Sequence, residues 1–421
     1  MKQVYAPLVI TAKNIACGSF TIKSYRYFTA LSDIALTYVI ERNGNAVAQG
    51  RVWDSDIAPG EESEIRIDYP QEMTGRVFIT FTARLDAENE WAKYGHEICS
   101  YQFEIPTEED AVEDAEKNQI AVEESNTEYI ISVGETVYTF DKRRGLLVGI
   151  ENNGKALLCE PMIPTVWRAP FDNDRNIQRD WRGKGYDRAT TKCYYVSAVK
   201  TLDDGEGVSW EAELALGGYI NRPILRIKIT YLIKASGELQ VCQAVKVDKD
   251  YPFLPRYGMK IVMPERSERM SYFGMGPMEA YADKHLAARM GLFQTTVHDN
   301  FEHYVKPQEN SAHVGTEWGA VWSLAGHGLL FASNATMTFN AQHYSAEQLA
   351  ACSHDYELLP DKKTFVYVDY KQSGSGSNSC GPALNEKYRL DEKDFEFRFA
   401  LKPVFANDTD FFAESARMTK E

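Results

Sequence analysis

Alternation of apolar and polar side chains with a period of two residues is the pattern that most constrains the fold of this chain. It is clear in residues 76–85, 225–233 and 394–401, where every second side chain is apolar. Such alternation is typical of β-strands that bury one face. Helical periodicity is scarce, and its best case follows Ser345, which has the spacing of a capping box with Gln348. The sequence therefore predicts an all-β protein.

Composition and turn signals divide the chain into four segments. Residues 1–105 hold about seven strand-like runs, enough for an immunoglobulin-like sandwich. Residues 106–126 are acidic and poor in large apolar side chains, which predicts a linker. Residues 127–405 suit one large antiparallel β-supersandwich, and residues 406–421 read as a polar tail that we expect to be disordered.

Charge argues against two classes of partner. The chain carries 46 Lys and Arg against 61 Asp and Glu, which gives a formal net charge of −15. Nucleic acids and anionic membrane surfaces both require a basic patch, so we expect neither as a partner. The apolar runs are also far shorter than the roughly 20 residues of a membrane-spanning helix.

Cysteine usage and the first residues favour the cytoplasm. The seven cysteines are scattered and contain no C-x-x-C pair, which suits reduced thiols better than disulfides or a zinc site. The start MKQVY lacks the apolar core of a secretion signal. Because this start enters a strand-like run almost at once, we expect either a separately encoded subunit or a part of a longer chain.

One irregular segment stands apart from the strands. Residues 167–174 read WRAPFDND, which combines an arginine, a stiffening proline and three side chains rich in acceptors. Proline restricts the backbone, and Asp and Asn favour turns. Such a loop is either a binding site or a turn built around an internal Arg–Asp pair, and the octet alone leaves both interpretations open.

Further motifs follow in an order that resembles a known family. They are GMGPMEAYADK at 274–284, PQEN at 307–310 and SCGP at 379–382. Together with the octet they resemble the last domain of the glycoside hydrolase family 2 β-galactosidases, beyond the catalytic barrel. Residues 5–8 (YAPL) and 91–97 (WAKYGHE) are similar to the linker sandwich that precedes that domain. The resemblance covers nearly the whole chain.

The resemblance implies an accessory role. In this family two carboxylic acids, about 5–5.5 Å apart, flank the glycosidic bond from a (β/α)8 barrel. This chain lacks the alternation of strands and helices that a barrel requires, so we expect it to be inactive alone. Its expected partners are the catalytic barrel of the same enzyme, a galactoside and further copies of itself. No cofactor is expected in this chain, because the family's magnesium and sodium ligands belong to the barrel.

Ten polar residues are the candidates for substrate contact. They are Arg168, Asp172, Asn173, Asp174, Glu279, Gln308, Glu309, His313, Asn378 and Cys380. By resemblance, Asn378 and Cys380 lie nearest the aglycone end of the substrate, and the glycines and serines of residues 374–377 favour a mobile loop before them. For the others the alternative is a network that pins loops to the sheet. The family usually has arginine where Lys284 stands, and lysine lacks the bidentate fork.

Two other functions remain open at this level. The family's last domain is similar in fold to aldose epimerases, in which a histidine and a glutamate act as acid and base. His313 with Glu279 or Glu309 is a conceivable pair of that kind. A plain carbohydrate-binding module is the other alternative. His298 and His303 match no standard metal spacing.

Overall fold

The computed structural model describes residues 1–52, 56–70, 73–376 and 380–420. These residues divide into two compact units. The first comprises residues 1–111 and 286–292, and the second comprises the remainder of the described chain. The boundary between residues 111 and 112 falls inside the predicted linker.

The first unit is a sandwich of two antiparallel sheets. Its strands are β1 (Leu8–Asn14), β2 (Ser19–Ser24), β3 (Ile34–Arg42), β4 (Asn45–Val52), β5 (Glu62–Arg66), β6 (Val77–Leu85) and β7 (Glu97–Ile105). One sheet has the order β1-β2-β5 and the other β4-β3-β6-β7. Phe20 from the first sheet packs edge-on against Phe81 from the second, with ring centroids 4.9 Å apart. Aromatic and aliphatic packing between the two sheets therefore forms this unit's core.

The second unit is also built almost entirely from strands. They are β8 (Ile120–Glu124), β9 (Glu128–Val133), β10 (Thr136–Asp141), β11 (Leu146–Asn152), β12 (Lys155–Ala156), β13 (Ile163–Thr165), β14 (Thr190–Val196), β15 (Lys200–Thr201), β16 (Gly207–Gly217), β17 (Leu225–Lys234), β18 (Leu239–Val247), β19 (Arg256–Pro264), β20 (Ser267–Gly276), β21 (Arg289–Thr296, of which residues 293–296 belong to this unit), β22 (His313–Ser323), β23 (His327–Gln342), β24 (Lys363–Gln372) and β25 (Asp394–Phe405). Its α-helices are α1 (Ile177–Gly183), α2 (Ala346–Ala351) and α3 (Phe411–Thr419). Short 3₁₀ turns occupy Ile15–Cys17, Asp172–Arg175, Tyr186–Arg188, Asp355–Glu357 and Glu386–Tyr388.

Two sheets organise the strands of the second unit. The smaller has the order β12-β11-β10-β9-β8, and the larger runs β13-β19-β24-β23-β25-β18-β17-β16-β14 with β20, β21 and β22 attached through β23. Phe140 of the small sheet packs against Trp210 and Tyr231 of the large one, with centroids 5.3 and 5.2 Å apart. The fold is an all-β immunoglobulin-like sandwich followed by a large antiparallel supersandwich, as the alternation predicts.

The clearest sequence patterns are confirmed in detail. In β17 the apolar side chains of Leu225 to Ile233 are buried at every second position, and β25 repeats this from Phe395 to Leu401. In β6, however, both faces are largely buried. Ser345 caps α2 by accepting a hydrogen bond from the Gln348 amide, which is the predicted capping interaction.

Two predictions about irregular segments are wrong. The tail beyond residue 405 is not disordered throughout, because it contains α3, whose N-terminus is capped by the Asp410 carboxylate. Met418 of this helix is buried, and Phe412 packs against Phe273 and Trp318. Within the predicted linker 106–126, Ile120–Glu124 is a strand paired with β9. Both segments are polar on average, yet Ile120 packs against the core of the second unit, and Phe411 and Phe412 pack against Trp318.

The packing of α3 leads to a stability prediction. Phe412→Ala removes a ring that lies 4.9 Å from Phe273 and 5.2 Å from Trp318. Since Phe412 is partly buried, we expect a loss of about 2 kcal/mol in the free energy of unfolding. Urea denaturation measures it, with Leu324→Ala as the control because Leu324 is exposed. An unchanged midpoint for Phe412→Ala would show that the tail is dispensable.

Candidate functional site

Four loops of the second unit meet, and each carries one of the sequence motifs. The Glu309 amide donates to the Ala169 carbonyl, which joins the 307–310 motif to the octet. The Ala280 amide donates to the carbonyl of Ala312, which joins the loop after β20 to the one before β22. Side chains from the octet and from the loop after β20 also reach the backbone that follows β24. The fold therefore brings together segments that are up to about two hundred residues apart in sequence.

Arg168 and Asp174 form an internal ion pair. The Arg168 side chain is fully buried, and its Nε and Nη2 donate to the Asp174 carboxylate at 3.2 and 3.0 Å. The remaining donors reach the carbonyls of Ser373 and Gly374. Burial raises the pKa of Asp174, and the adjacent guanidinium opposes that rise. Both side chains are buried and bonded to other groups of the protein, so they stabilise the loop. We therefore no longer count Arg168 and Asp174 among the candidates for substrate contact.

Glu309 belongs to a second buried cluster. Arg256 of β19 lies between Asp369 of β24 and Glu309, with Nη2–Oδ2 and Nη1–Oε2 distances of 2.5 and 3.3 Å. Gln372 donates its amide to both carboxylates. Burial raises the pKa of Asp369 to about 6, against the opposing effect of Arg256. Sequence reasoning missed Arg256 and Asp369, although a lone aspartate in the apolar run 365–370 is the signal that could have found it.

His313 is also a buried structural residue. Its ring stacks on Tyr272 with centroids 4.0 Å apart, and its nitrogens lie 3.1 Å from the Met275 carbonyl and 2.9 Å from the Asn300 amide oxygen. Burial lowers the pKa of His313 to about 4. Glu309 is committed to Arg256, so the geometry offers no acid–base pair of His313 with Glu309 that could face a sugar. His313 and Glu309 are therefore also no longer candidates for substrate contact.

Glu279 links its loop to the one before β22. One carboxylate oxygen contacts Lys284 Nζ and the Tyr304 hydroxyl, and the other accepts from the Ser311 amide at 2.8 Å. The Glu279 side chain is 8% exposed, whereas Lys284 is half exposed. Lysine is sufficient at this position because its partners are a single oxygen and a hydroxyl. The Glu279 carboxylate is thus held by Lys284, Tyr304 and Ser311 without the bidentate contact that an arginine would make.

The accessible part of the site is smaller than the sequence suggested. Asp172 is exposed, and Asn173 and Gln308 are partly exposed. The Asp172 amide donates to Gln308 Oε1 at 2.9 Å, which places these residues side by side. Cys380 is exposed as well, and Asn378 lies outside the described residues. Asp172, Asn173, Gln308 and Cys380, with Glu279 behind them, remain the candidates for substrate contact.

Other kinds of site find little support. Within the described ranges, no three His, Cys, Asp or Glu side chains are grouped as a metal ion would need. Nor does any helix in that part of the chain have the length and apolar character required to cross a bilayer. His303 makes a contact of 3.0 Å with the partly exposed Asp355 rather than with His298.

Comparison with known proteins identifies the family. Residues 132–401 match the family described as the β-galactosidase small chain, and residues 20–106 match the one described as domain 4 of β-galactosidase. The chain belongs to the β-galactosidase small-chain family. Two curated β-galactosidases, from Actinobacillus pleuropneumoniae and Staphylococcus xylosus, are 32% and 34% identical to it over 388 and 311 residues.

This small-chain family member matches only part of those proteins. The alignments cover 91% and 74% of the chain but 38% and 31% of the two relatives. The chain therefore spans less than two-fifths of their length. A solved aldose epimerase homologue from C. elegans matches with 11% identity and a TM-score of 0.38, covering 68% of this chain and 100% of that one. A likeness at that level carries no conclusion about activity.

Proposed function

We propose that this chain is the non-catalytic C-terminal part of a cytoplasmic β-galactosidase that hydrolyses terminal β-D-galactosides. The observation that carries the proposal is the match of both units to β-galactosidase domains within relatives of more than twice the length. The chain would complete the mouth of an active site that the rest of the enzyme supplies, and it would contribute subunit contacts in a homo-oligomer. The magnesium and sodium ions implied by the family would be held outside this chain.

The chemistry of the described carboxylates supports a non-catalytic role. A retaining glycosidase places two carboxyl groups about 5–5.5 Å apart, across the bond that it cleaves. Here Asp369 and Glu309 share Arg256 as their cation and are fully buried. Glu279 is held by Lys284, Tyr304 and Ser311. These carboxylates have partners within the protein, which suits loop structure better than bond cleavage.

The exposed residues supply the proposed contact with substrate. The Asp172 carboxylate and the Gln308 side-chain amide offer hydrogen-bond acceptors and donors suited to sugar hydroxyls, and Asn173 lies between Asp172 and the buried Asp174 with its amide donors bonded to Ser375 and Gly376. Cys380 would lie toward the aglycone. An independent aldose epimerase is not favoured, because His313 is fully buried and both of its ring nitrogens contact protein oxygens.

Hydrolysis of a chromogenic β-galactoside by the purified chain tests this proposal. We expect no turnover from the chain alone, and turnover once the remaining part of its β-galactosidase is present. Asp172→Ala should then raise KM about tenfold, the effect of losing one to two hydrogen bonds to a sugar. Turnover by the chain alone that disappears in Glu279→Gln would overturn the proposal and place the chemistry in this chain. A mutarotation assay on the same sample tests the epimerase alternative.

A further inference from the structure

The segment that precedes Cys380 is held by a complete set of hydrogen bonds. The backbone of Ser373 to Gly376 carries four N–H groups and four carbonyls. The amides of Ser373 and Gly374 donate to the carbonyls of Pro255 and Tyr388 at 3.0 and 2.9 Å. The other six groups bond to side chains, so every backbone polar group of the segment has a partner.

Three side chains supply those six bonds. Arg168 donates to the carbonyls of Ser373 and Gly374, the second at 3.1 Å. Asp283 accepts from the amides of Ser375 and Gly376, at 2.8 and 2.6 Å. Asn173 donates to the carbonyls of the same two residues, at 3.2 and 2.6 Å. Arg168 and Asn173 come from the octet, and Asp283 from the loop after β20, so two motifs hold one segment between them.

The glycines of this segment serve close approach. A Cβ at Gly374 would lie 2.5 Å from the carboxyl carbon of Asp283. Gly376 has a φ of +51°, and a Cβ there would lie 2.9 Å from Leu384. Glycine is the residue that fits both positions. The composition of residues 374–377 predicts a mobile loop, and the backbone polar groups of the described part, 374–376, all have hydrogen-bond partners.

The chain that returns after Cys380 is tied to the same place. The Ser373 hydroxyl donates to the Leu254 carbonyl and accepts from the Leu390 amide, at 2.6 and 2.9 Å. Leu384 lies against Gly376, and Arg389 Nε donates to the Leu384 carbonyl at 2.8 Å. Residues 373–376 and residues 384–390, which lie on either side of Cys380 in the sequence, are therefore both held by hydrogen bonds or close packing in the same region.

We propose that Asp283, Asn173 and Arg168 are positioning residues, which fix the segment 373–376 and through it the placement of Cys380 toward the substrate. This inference rests on the proposed function, because it assumes that Cys380 faces a galactoside bound in the active site. A backbone whose polar groups all have hydrogen-bond partners within the protein, six of the eight being side chains here, keeps its path when a ligand binds. A charged acceptor such as Asp283 contributes most, because its two bonds to amide groups are charge-assisted.

We call the six hydrogen bonds from Arg168, Asp283 and Asn173 to the backbone of residues 373–376 the frame. Amide hydrogen exchange of the chain itself tests whether this frame exists. Asp283→Asn preserves the shape but turns one acceptor into a donor that faces an amide. We expect the amides of Ser375 and Gly376 to exchange about ten to a hundred times faster, the effect of losing a hydrogen bond to a charged group. Asn173→Ala is a second, milder variant that should speed exchange in the same peptide. Asp408→Asn is the matched control, because Asp408 is exposed in the turn after β25.

Kinetics of the complete β-galactosidase that contains this chain test the positioning role. Misplacing a contact to the aglycone weakens ground state and transition state alike, so Asp283→Asn should raise KM about tenfold with little change in kcat. The Asp408→Asn control should alter neither constant. Unchanged exchange in both variants would overturn the frame. Faster exchange with unchanged KM would show that the segment is held for stability alone.

The outcomes separate this inference from the proposed function. If the complete protein with the wild-type chain hydrolyses no galactoside, the proposed function fails and the positioning role fails with it. In that case the exchange experiment still decides whether the frame exists. If the wild-type enzyme is active and only the KM prediction fails, the proposed function stands without the positioning role.

Discussion

Replacing Arg256 by methionine is expected to lower the free energy of unfolding by about 3–5 kcal/mol, because the change leaves buried carboxylates without their cation. Arg256 is fully buried, as are its partners Asp369 and Glu309. Its ring contact with Tyr367, 4.2 Å from the centroid, would be kept in part by the methionine side chain. The loss is therefore mainly electrostatic.

The same cluster predicts a dependence on pH. One guanidinium and two carboxylates leave one uncompensated negative charge when all are ionised. The folded protein holds the Asp369 proton with a pKa of about 6, above the ordinary value of 3.8. The stability that this proton contributes is present below about pH 4 and is lost as the pH rises through 6. Tyr281 and Tyr367, which face the cluster, have pKa values raised by burial and stay neutral over that range.

Urea denaturation at pH 5 and pH 8 checks both statements. Without Arg256 the largest opposition to the effect of burial on the pKa of Asp369 is lost and only the weaker hydrogen bond from Gln372 remains, so Arg256→Met should cost more at pH 8 than at pH 5. Adding Asp369→Leu to Arg256→Met should restore part of the stability at pH 8, because one stranded charge is removed. Arg398→Met is the control: Arg398 is 68% exposed beside Glu396, and its loss should change stability by less than about 0.5 kcal/mol. An equal cost for the two arginines would contradict the prediction.

Local patterns predicted the strands of this protein because each depends on neighbours in sequence. The alternation in β17 and β25 states which face is buried, and the hairpin of β3 and β4 turns at Asn43 and Gly44, both with positive φ. The wrong predictions concern segments whose structure depends on contacts with residues that are distant in sequence. The tail after residue 405 forms α3 because Trp318 and Phe273 offer it a surface. Its own composition does not show that surface.

The same distinction applies to the candidate site: the sequence predicted which loops form it, but it did not predict which of their side chains are buried. The motifs correctly marked loops that meet in the second unit, yet motif letters do not tell which side chains face inward. Arg168 and Glu309 are inside because their partners, Asp174 and Arg256, compensate their charge there. Asp172 lies beside Asp174 in the same octet and is exposed. Asn173, between them, is partly exposed while its amide holds the backbone of Ser375 and Gly376.

Arg168 is the residue where charge and geometry can be separated, and its replacement is the other change with a large expected effect. The guanidinium donates to the Asp174 carboxylate and to the carbonyls of Ser373 and Gly374, and it lies 4.4 Å from the Phe171 ring centroid. Lysine keeps the charge but cannot donate in all these directions at once. Methionine removes both.

We expect Arg168→Met to cost about 3–5 kcal/mol, because Asp174 is left buried and uncompensated and two carbonyls lose their donor. Arg168→Lys should cost about 2 kcal/mol, because the charge remains but the carbonyls are left unsatisfied. Urea denaturation of both variants measures the difference, with Arg179→Met as the control because Arg179 is exposed on α1. Equal losses of unfolding free energy in Arg168→Lys and Arg168→Met would show that the hydrogen-bonding geometry of the guanidinium matters and its charge does not. Near-wild-type stability of Arg168→Lys would show the reverse, and the frame around residues 373–376 would then depend on Asp283 and Asn173 alone.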